Sequence, residues 1–124
     1  EALPAIEEKE ESQPTKESEG DKELEDEMAK LLLYLQQGVV LGDYAEALHI
    51  PERKLSVFIN STYGVSFKRW VNNKRVEYAT EQMAKHPDYT MERIAELSGF
   101  AHKSHFCKIF REITGGSFTE YKNR

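Results

Sequence analysis

The sequence contains a single cysteine, Cys107, so no disulfide can form within the chain. Chains without disulfides are typical of a reducing compartment, and we expect this one to act in the cytoplasm. The sequence also lacks a signal peptide and any apolar run long enough to span a bilayer, so we expect no membrane contact from these residues. The first residue is Glu1 rather than methionine, and we expect an upstream sensor or membrane region in a longer parent chain.

Residue patterns that support catalysis are missing as well. There is no glycine-rich phosphate loop after a strand, no pair of carboxylates in an apolar setting, and no nucleophile with a base and an orienting partner. His102, His105 and Cys107 lie close in sequence, but His102 and Cys107 point to different sides of a helix and no further cluster completes a metal site. The sequence therefore predicts a protein that is not an enzyme and needs no metal or other cofactor.

Charge is distributed unevenly along the chain. Residues 1–30 hold twelve of the 22 acidic and four of the 17 basic residues, so the rest of the chain is mildly basic although the net charge is −5. Only that basic remainder is suited to meet an anion. Residues 1–20 are rich in Glu, Ser and Pro, and we expect a disordered acidic linker or tail there. We expect one folded domain over residues 21–124.

A pair of helices with a glycine turn is predicted over about residues 90–114. Ile94, Ala95 and Leu97 favour a short helix that Gly99 can end in a left-handed conformation. The apolar residues of the next helix recur at helical spacing: Phe106, Ile109, Phe110 and Ile113. Such a pair is typical of a helix-turn-helix, whose second helix reads the DNA major groove.

A second copy of this arrangement is predicted upstream, over about residues 40–62, with its turn at His49. A helix from Asp21 to about Gln37 precedes it, and Ser117 can cap a short final helix. The two motifs are joined by a linker helix over about residues 66–85, which spans roughly 30 Å, close to the ~34 Å pitch of DNA. The sequence thus predicts an all-α fold whose two motifs can reach successive major grooves.

The downstream motif resembles the second helix-turn-helix of the bacterial AraC/XylS transcription regulators. The resemblance rests on Ile94, Ala95, Gly99 and Phe100, followed by these residues: Phe106, Phe110, Thr114, Gly115 and Tyr121. Upstream it rests on the following: Ala45, Leu48, Ile50, Leu55, Gly64, Ser66, Phe67, Arg75 and Ala79. It covers about residues 23–124 and implies an arrangement of seven helices with two motifs. It also implies a sequence-specific, double-stranded DNA-binding domain that regulates transcription and, in activators, contacts RNA polymerase.

The sequence departs from the family pattern at a few positions. Val40 stands where a capping Ser or Thr is usual, and His49 stands where the turn usually has glycine. Near the carboxyl end, Phe118 replaces a proline and Lys122 replaces an arginine. The alternative function is therefore a helical protein-interaction module that has lost DNA binding.

Base-contacting residues are predicted on the second helix of each motif. Arg53 can fork to guanine and Val57 can meet a thymine methyl. The resemblance places the base-reading positions at these residues: Arg53, Ser56, Val57, Asn60, Lys103, Ser104, His105, Cys107 and Lys108.

Phosphate contacts are predicted at helix starts, where backbone N–H groups are unpaired, and at nearby lysines. The residues concerned are Lys54, Lys68, Thr90, Ser117 and Lys122. Helical spacing places Arg75 near the core side of the linker helix, so we favour a structural ion pair over a DNA contact for this residue.

Overall fold

The computed structural model describes the backbone of residues 14–123 and the side chains of residues 22–123. Within that range the chain forms seven α-helices, a short 3-10 helix at Leu33–Leu35, and no strand. The helices are α1 (Pro14–Lys30), α2 (Leu41–Leu48), α3 (Glu52–Tyr63), α4 (Phe67–Lys85), α5 (Met91–Leu97), α6 (Lys103–Thr114) and α7 (Phe118–Lys122). The predicted all-α fold of seven helices is therefore confirmed.

The chain divides into two compact units, Glu1–Leu31 and Leu32–Arg124. In the first unit, α1 begins at Pro14, seven residues before the predicted start at Asp21. Glu and Lys have high helix propensity, and Pro is favoured at the first helical position. The helix therefore begins before the first apolar residues of its sequence. Disorder was predicted for residues 1–20; residues 14–20 are helical instead, and residues 1–13 lie outside the described residues.

The predicted end of the first helix, at about Gln37, was also wrong. The α-helix ends at Lys30, and the chain turns through the 3-10 helix at Leu33–Leu35. This turn directs the carbonyl groups of Tyr34 and Gln36 toward the Arg75 side chain on α4. A continuous α-helix would have used such carbonyls within itself.

In the second unit, α4 takes part in both cores of the fold. Trp70 and Val71 are buried beside Tyr44 and Phe67, and Trp70 packs edge-on against Tyr44 at 5.4 Å. Further along α4, Val76 belongs to the downstream core with the following residues: Ala79, Ile94, Ala95, Phe100, Phe106, Ile109, Phe110 and Phe118. One helix of 19 residues, about 28 Å long, therefore supports both helix pairs.

The two helix pairs end their first helices with the same hydrogen bonds. Ile50 N–H donates to Ala45 O at 3.1 Å, and Phe100 N–H donates to Ala95 O at 3.0 Å. The residue before each donor is left-handed, with φ of 60° at His49 and 92° at Gly99. The predicted turns are thus confirmed, and His49 adopts a conformation that glycine would adopt without steric strain.

Side-chain caps fix the starts of the helices that follow each motif. Ser66 Oγ accepts from Arg69 N–H at 3.2 Å, and Ser117 Oγ accepts from Glu120 N–H at 3.1 Å. Val40 cannot cap α2, as predicted, but the Asp43 carboxylate accepts from Val40 N–H at 2.9 Å. The start of α2 therefore keeps half of a capping box despite the missing hydroxyl.

Candidate nucleic-acid interface

On α3, the predicted base-contacting side chains lie on the solvent side of the helix. Leu55, Phe58 and Ile59 are buried against the upstream core. The opposite side exposes Arg53, Ser56, Val57 and Asn60. Val57 has 60 % of its surface exposed although its side chain is apolar. This helix therefore presents a donor fork, a hydroxyl, an amide and an apolar contact, the set of groups that reads base edges.

On α6, four of the five predicted side chains are exposed: Lys103, Ser104, His105 and Lys108. The placement of Cys107 on the outward face was wrong. Cys107 is half-buried, packs beside the downstream core, and its Sγ lies 3.1 Å from Met91 Sδ. The thiol points toward α5 because Cys107 lies close to the apolar stripe of Phe106 and Phe110, and we remove it from the base-contacting set.

The hydrogen bonds that start the two second helices show which positions correspond. Leu55 N–H donates to Pro51 O, and Phe106 N–H donates to His102 O, an offset of 51 residues. Val57 thus corresponds to Lys108, and Asn60 corresponds to Arg111. Arg111 is exposed and was missed, because its place one turn before the end of α6 gives no motif signal. The offset between the two motifs could have identified it.

Two proximities describe the surroundings of the starts of α3 and α6. A Cβ added at Gly42 would lie 2.9 Å from Glu52 Oε2, so the start of α3 lies over the start of α2. The adjoining residues Val40 and Leu41 share a groove with His105 of α6.

The predicted phosphate-contacting residues lie in different surroundings. Lys54, Lys68 and Thr90 are exposed, and Lys68 adds positive charge at the start of α4. At Ser117 the backbone N–H already donates to the Glu120 carboxylate at 2.8 Å, which puts a negative charge where a phosphate was expected. Lys122 Nζ lies 3.3 Å from Tyr89 O, so its ammonium group is directed toward the loop before α5.

A cation that sequence reasoning missed stands at the start of α5. The Arg93 guanidinium lies over the Tyr89 ring at 4.8 Å, and His86 stacks on the same ring at 4.2 Å. Arg93 lies within the first turn of α5, whose N-cap Thr90 accepts from Arg93 N–H at 3.1 Å. A preordered guanidinium beside unpaired N–H groups is well suited to hold a phosphate.

Lys103 is paired with an acidic neighbour. Its Nζ lies 3.0 Å from Glu92 Oε2, and both side chains are more than half exposed. The hydrogen bond from Lys103 is the main reason why the pKa of Glu92 lies below its usual value. Glu92 therefore keeps its negative charge beside the proposed reading surface at neutral pH and partly neutralises Lys103.

Arg75 has a structural role, but the expected ion pair was wrong. Its side chain is 8 % exposed. Nε donates to Tyr34 O at 2.6 Å and Nη2 donates to Gln36 O at 2.9 Å, while the guanidinium lies 5.4 Å from the centre of the Phe100 ring. Burial lowers the pKa of Arg75 from its usual value. Its hydrogen-bond partners among the described residues are neutral carbonyl groups, not a carboxylate.

The side chains considered for a metal site diverge. His105 packs edge-on against Phe100, whereas Cys107 contacts Met91. No group of three or more His, Cys, Asp or Glu suited to a metal ion occurs in the part of the chain that the structure describes. In the same part, no helix is both long and apolar enough to cross a membrane.

Comparison with known proteins gives a family match over most of the chain. A family model described as a helix-turn-helix domain matches residues 44–124. The regulatory protein PocR of Salmonella typhimurium is 30% identical over 105 residues, which are 82% of this chain and 34% of that protein. The HTH-type transcriptional regulator YijO of Escherichia coli, described as uncharacterized, is 30% identical over 80 residues, 64% of this chain and 28% of that protein. The chain therefore spans about a third or less of these relatives.

Solved structures share the fold. The C-terminal domain of the response regulator AraT from Geobacillus stearothermophilus superposes with a TM-score of 0.70 at 24% identity, covering 83% of each chain. The DNA-binding domain of the transcriptional factor AdpA, solved with a target DNA, gives a TM-score of 0.68 at 22% identity and covers 81% of this chain and 89% of that one.

Proposed function

We propose that this chain, which belongs to the AraC/XylS family of helix-turn-helix regulators, binds double-stranded DNA sequence-specifically and regulates transcription. In this proposal α3 and α6 enter successive major grooves on one side of the duplex. The observation that carries it is the pair of exposed polar faces, one on each second helix, with both of these helices packed against α4. The structure of AdpA with a target DNA supports the proposal, because that domain shares this fold.

The base-reading set follows from the exposed positions. On α3 it comprises Arg53, Ser56, Val57 and Asn60, and on α6 it comprises Lys103, Ser104, His105, Lys108 and Arg111. Phosphates are held by the starts of α4 and α5, with Lys54, Lys68 and Arg93 nearby. Ser117 and Lys122 are the remaining proposed phosphate contacts. Phosphate binding at Ser117 is weakened, because its backbone N–H donates to the Glu120 carboxylate.

The wider setting follows from the family. We propose that the DNA-binding domain follows an acidic linker, acts on the nucleoid in the cytoplasm, and belongs to a longer chain with an upstream sensor or membrane region. Contact with RNA polymerase is proposed through another surface of the domain.

Selection from random duplexes, followed by gel shifts with random competitor, tests this function. The expected result is an enriched site with two half-sites about one helical turn apart and an affinity that falls as salt rises. Binding that is insensitive to both salt and sequence would overturn the proposal and favour the protein-interaction module.

Arg53→Ala is expected to weaken binding to the selected site by about 1–3 kcal/mol and to relax preference at one base pair. The reason is loss of a bidentate donor to guanine, whereas binding to random duplex changes less. Gel-shift titrations on both duplexes measure the ratio. Arg69→Ala is the matched control, because Arg69 faces a different groove beside Asn73 and Thr114 and pairs with Glu112 at 3.9 Å. Equal losses on both duplexes would contradict base reading by Arg53.

Glu92→Gln is expected to raise affinity for selected and random duplexes by about two- to fivefold at low salt. The change frees the Lys103 ammonium and removes a negative charge beside the reading surface. Titrations at two salt concentrations measure the effect, which shrinks as salt rises. Glu112→Gln removes the same charge where its partner is Arg69, so it should change affinity less. If both variants changed affinity equally, the pairing with Lys103 would have no specific effect.

A further inference from the structure

A groove of about 300 Å³ lies between the two helix-turn-helix pairs. The start of α2, the first half of α4 and one residue of α6 form its walls. Five apolar side chains cover most of it: Val39, Val40, Leu41, Phe67 and Val71. A groove of this size is at the small end of the range for ligand sites. An apolar lining with a few polar groups is what a small organic molecule requires.

Asn72 is an unusual polar group in the wall of this groove. Its side chain is only 6 % exposed, yet it makes no hydrogen bond with the residues that the structure describes. Its polar atoms are not sealed from solvent, since Trp70 Nε1 is the buried, unpaired side-chain atom found among the described residues, so the Asn72 amide is open to the groove, where water or a ligand can bind it. The groove therefore contains at least one N–H donor and one carbonyl acceptor that are available to a bound molecule.

Arg75 adds an uncompensated positive charge to the same wall. Two of its N–H groups donate to the carbonyls of Tyr34 and Gln36, which leaves three donors of the guanidinium. No carboxylate contacts it among the described residues, and a buried cation without a counter-charge attracts an anion. Lys68 brings a second cation to the rim. The charge of the groove therefore selects a negative ligand.

We propose that this groove binds a small organic carboxylate with an apolar body. The carboxylate accepts hydrogen bonds from the Asn72 amide and the remaining Arg75 N–H groups, with Lys68 at the entrance. The apolar body packs between Val40 and Val71. This site goes beyond the proposed DNA binding, since Asn72 and Arg75 have no role in that proposal; Lys68 and His105, which also line the groove, are shared with the proposed DNA surface.

Phenylacetate is a suitable probe, and its binding to the full chain can be followed by amide chemical shifts without any DNA. We expect saturable shifts at the backbone of residues 39–41 and 67–72. Phenylacetamide, the neutral isostere, and acetate, the anion without an apolar body, should each bind at least about tenfold more weakly. Because no DNA is present, failure of this test is distinct from failure of the proposed function.

Variants locate the site. Asn72→Leu and Lys68→Gln should each weaken phenylacetate binding, the first by about tenfold and the second by about threefold. Asn73→Leu and Lys85→Gln are matched controls, since Asn73 lines a different groove and Lys85 ends α4, and both should leave the affinity unchanged. The proposal is overturned if phenylacetate does not saturate, if either analogue binds equally well, or if both Asn72→Leu and Lys68→Gln bind like the unaltered chain. Lys68→Gln alters an exposed side chain, so it provides a test even if Asn72→Leu fails to fold.

Discussion

Replacing Gly99 with alanine is expected to lower the free energy of unfolding by about 3–5 kcal/mol. Gly99 has a φ of 92°, a conformation that alanine adopts only under strain. A Cβ there would also lie 2.8 Å from Tyr34 O and 2.9 Å from Leu35 O. Both are backbone atoms of a short helical turn, so rotation of a side chain cannot relieve the contact. Chemical denaturation followed by circular dichroism measures the loss.

Gly64 and Gly115 are matched controls for this prediction. Both have positive φ, 71° and 84°, but a Cβ at either would meet no atom within 4 Å. Gly64→Ala and Gly115→Ala therefore isolate the backbone term and should each cost about 1–2 kcal/mol. If Gly99→Ala cost no more than these two, close approach of the backbones would not be what requires glycine at this turn.

The conformation of Gly99 could be predicted from the sequence, but its neighbours could not. A glycine directly after a short apolar helix is a local signal for a left-handed helix end. The approach of Tyr34 and Leu35 depends on a turn more than sixty residues earlier in the chain. That turn was predicted as part of a helix running to about Gln37, because Leu31, Leu32 and Leu35 continue a helical spacing. Hydrogen bonds to Arg75 favour the 3-10 turn instead, and no local pattern encodes them.

The exposed faces of α3 and α6 were largely predictable, since helical periodicity separates apolar from polar positions. Cys107 was misplaced because it lies at the edge of the apolar stripe, where periodicity does not decide on which side a small side chain lies. Arg111 was missed because its place one turn before the end of α6 gives no motif signal. The pairing of Lys103 with Glu92 crosses from α6 to α5, so it required the packing of both helices.

Acidic side chains near the proposed DNA surface give a reason why a mildly basic domain can discriminate among sequences. Glu92 and Glu120 place negative charge near the predicted phosphate path, so attraction to DNA in general is limited. In the proposed function, base contacts from Arg53 and Lys108 would then contribute a larger share of the total affinity. Specificity is a difference between two affinities, and weakening the nonspecific one increases it.

Arg75→Met is expected to lower the free energy of unfolding by about 2–4 kcal/mol. Methionine keeps most of the packing of the side-chain stem but removes both hydrogen bonds to the carbonyls of Tyr34 and Gln36. Loss of the buried charge offsets part of the cost, because burial already disfavours the guanidinium. The free energy of unfolding of Arg75→Lys should lie between those of the unaltered chain and Arg75→Met, since an ammonium group cannot donate to both carbonyls with the same geometry. The stability difference should not vary between pH 5 and 9, because arginine stays charged.

Arg69→Met is the matched control, since Arg69 is on the same helix, is exposed, and forms a long ion pair with Glu112 at 3.9 Å. It should cost less than about 0.5 kcal/mol.

A second comparison links the two stability predictions, because a Cβ at Gly99 would also lie 3.0 Å from Arg75 Nε. Arg75→Met removes the hydrogen bonds that hold the turn in place, so the turn can move away from the added Cβ of Gly99→Ala at a lower cost. The double variant should therefore lose at least about 1 kcal/mol less free energy of unfolding than the sum of the two single variants. Strict additivity would mean that Gly99 and Arg75 stabilise the fold independently, and that the turn at Leu33–Leu35 does not join them.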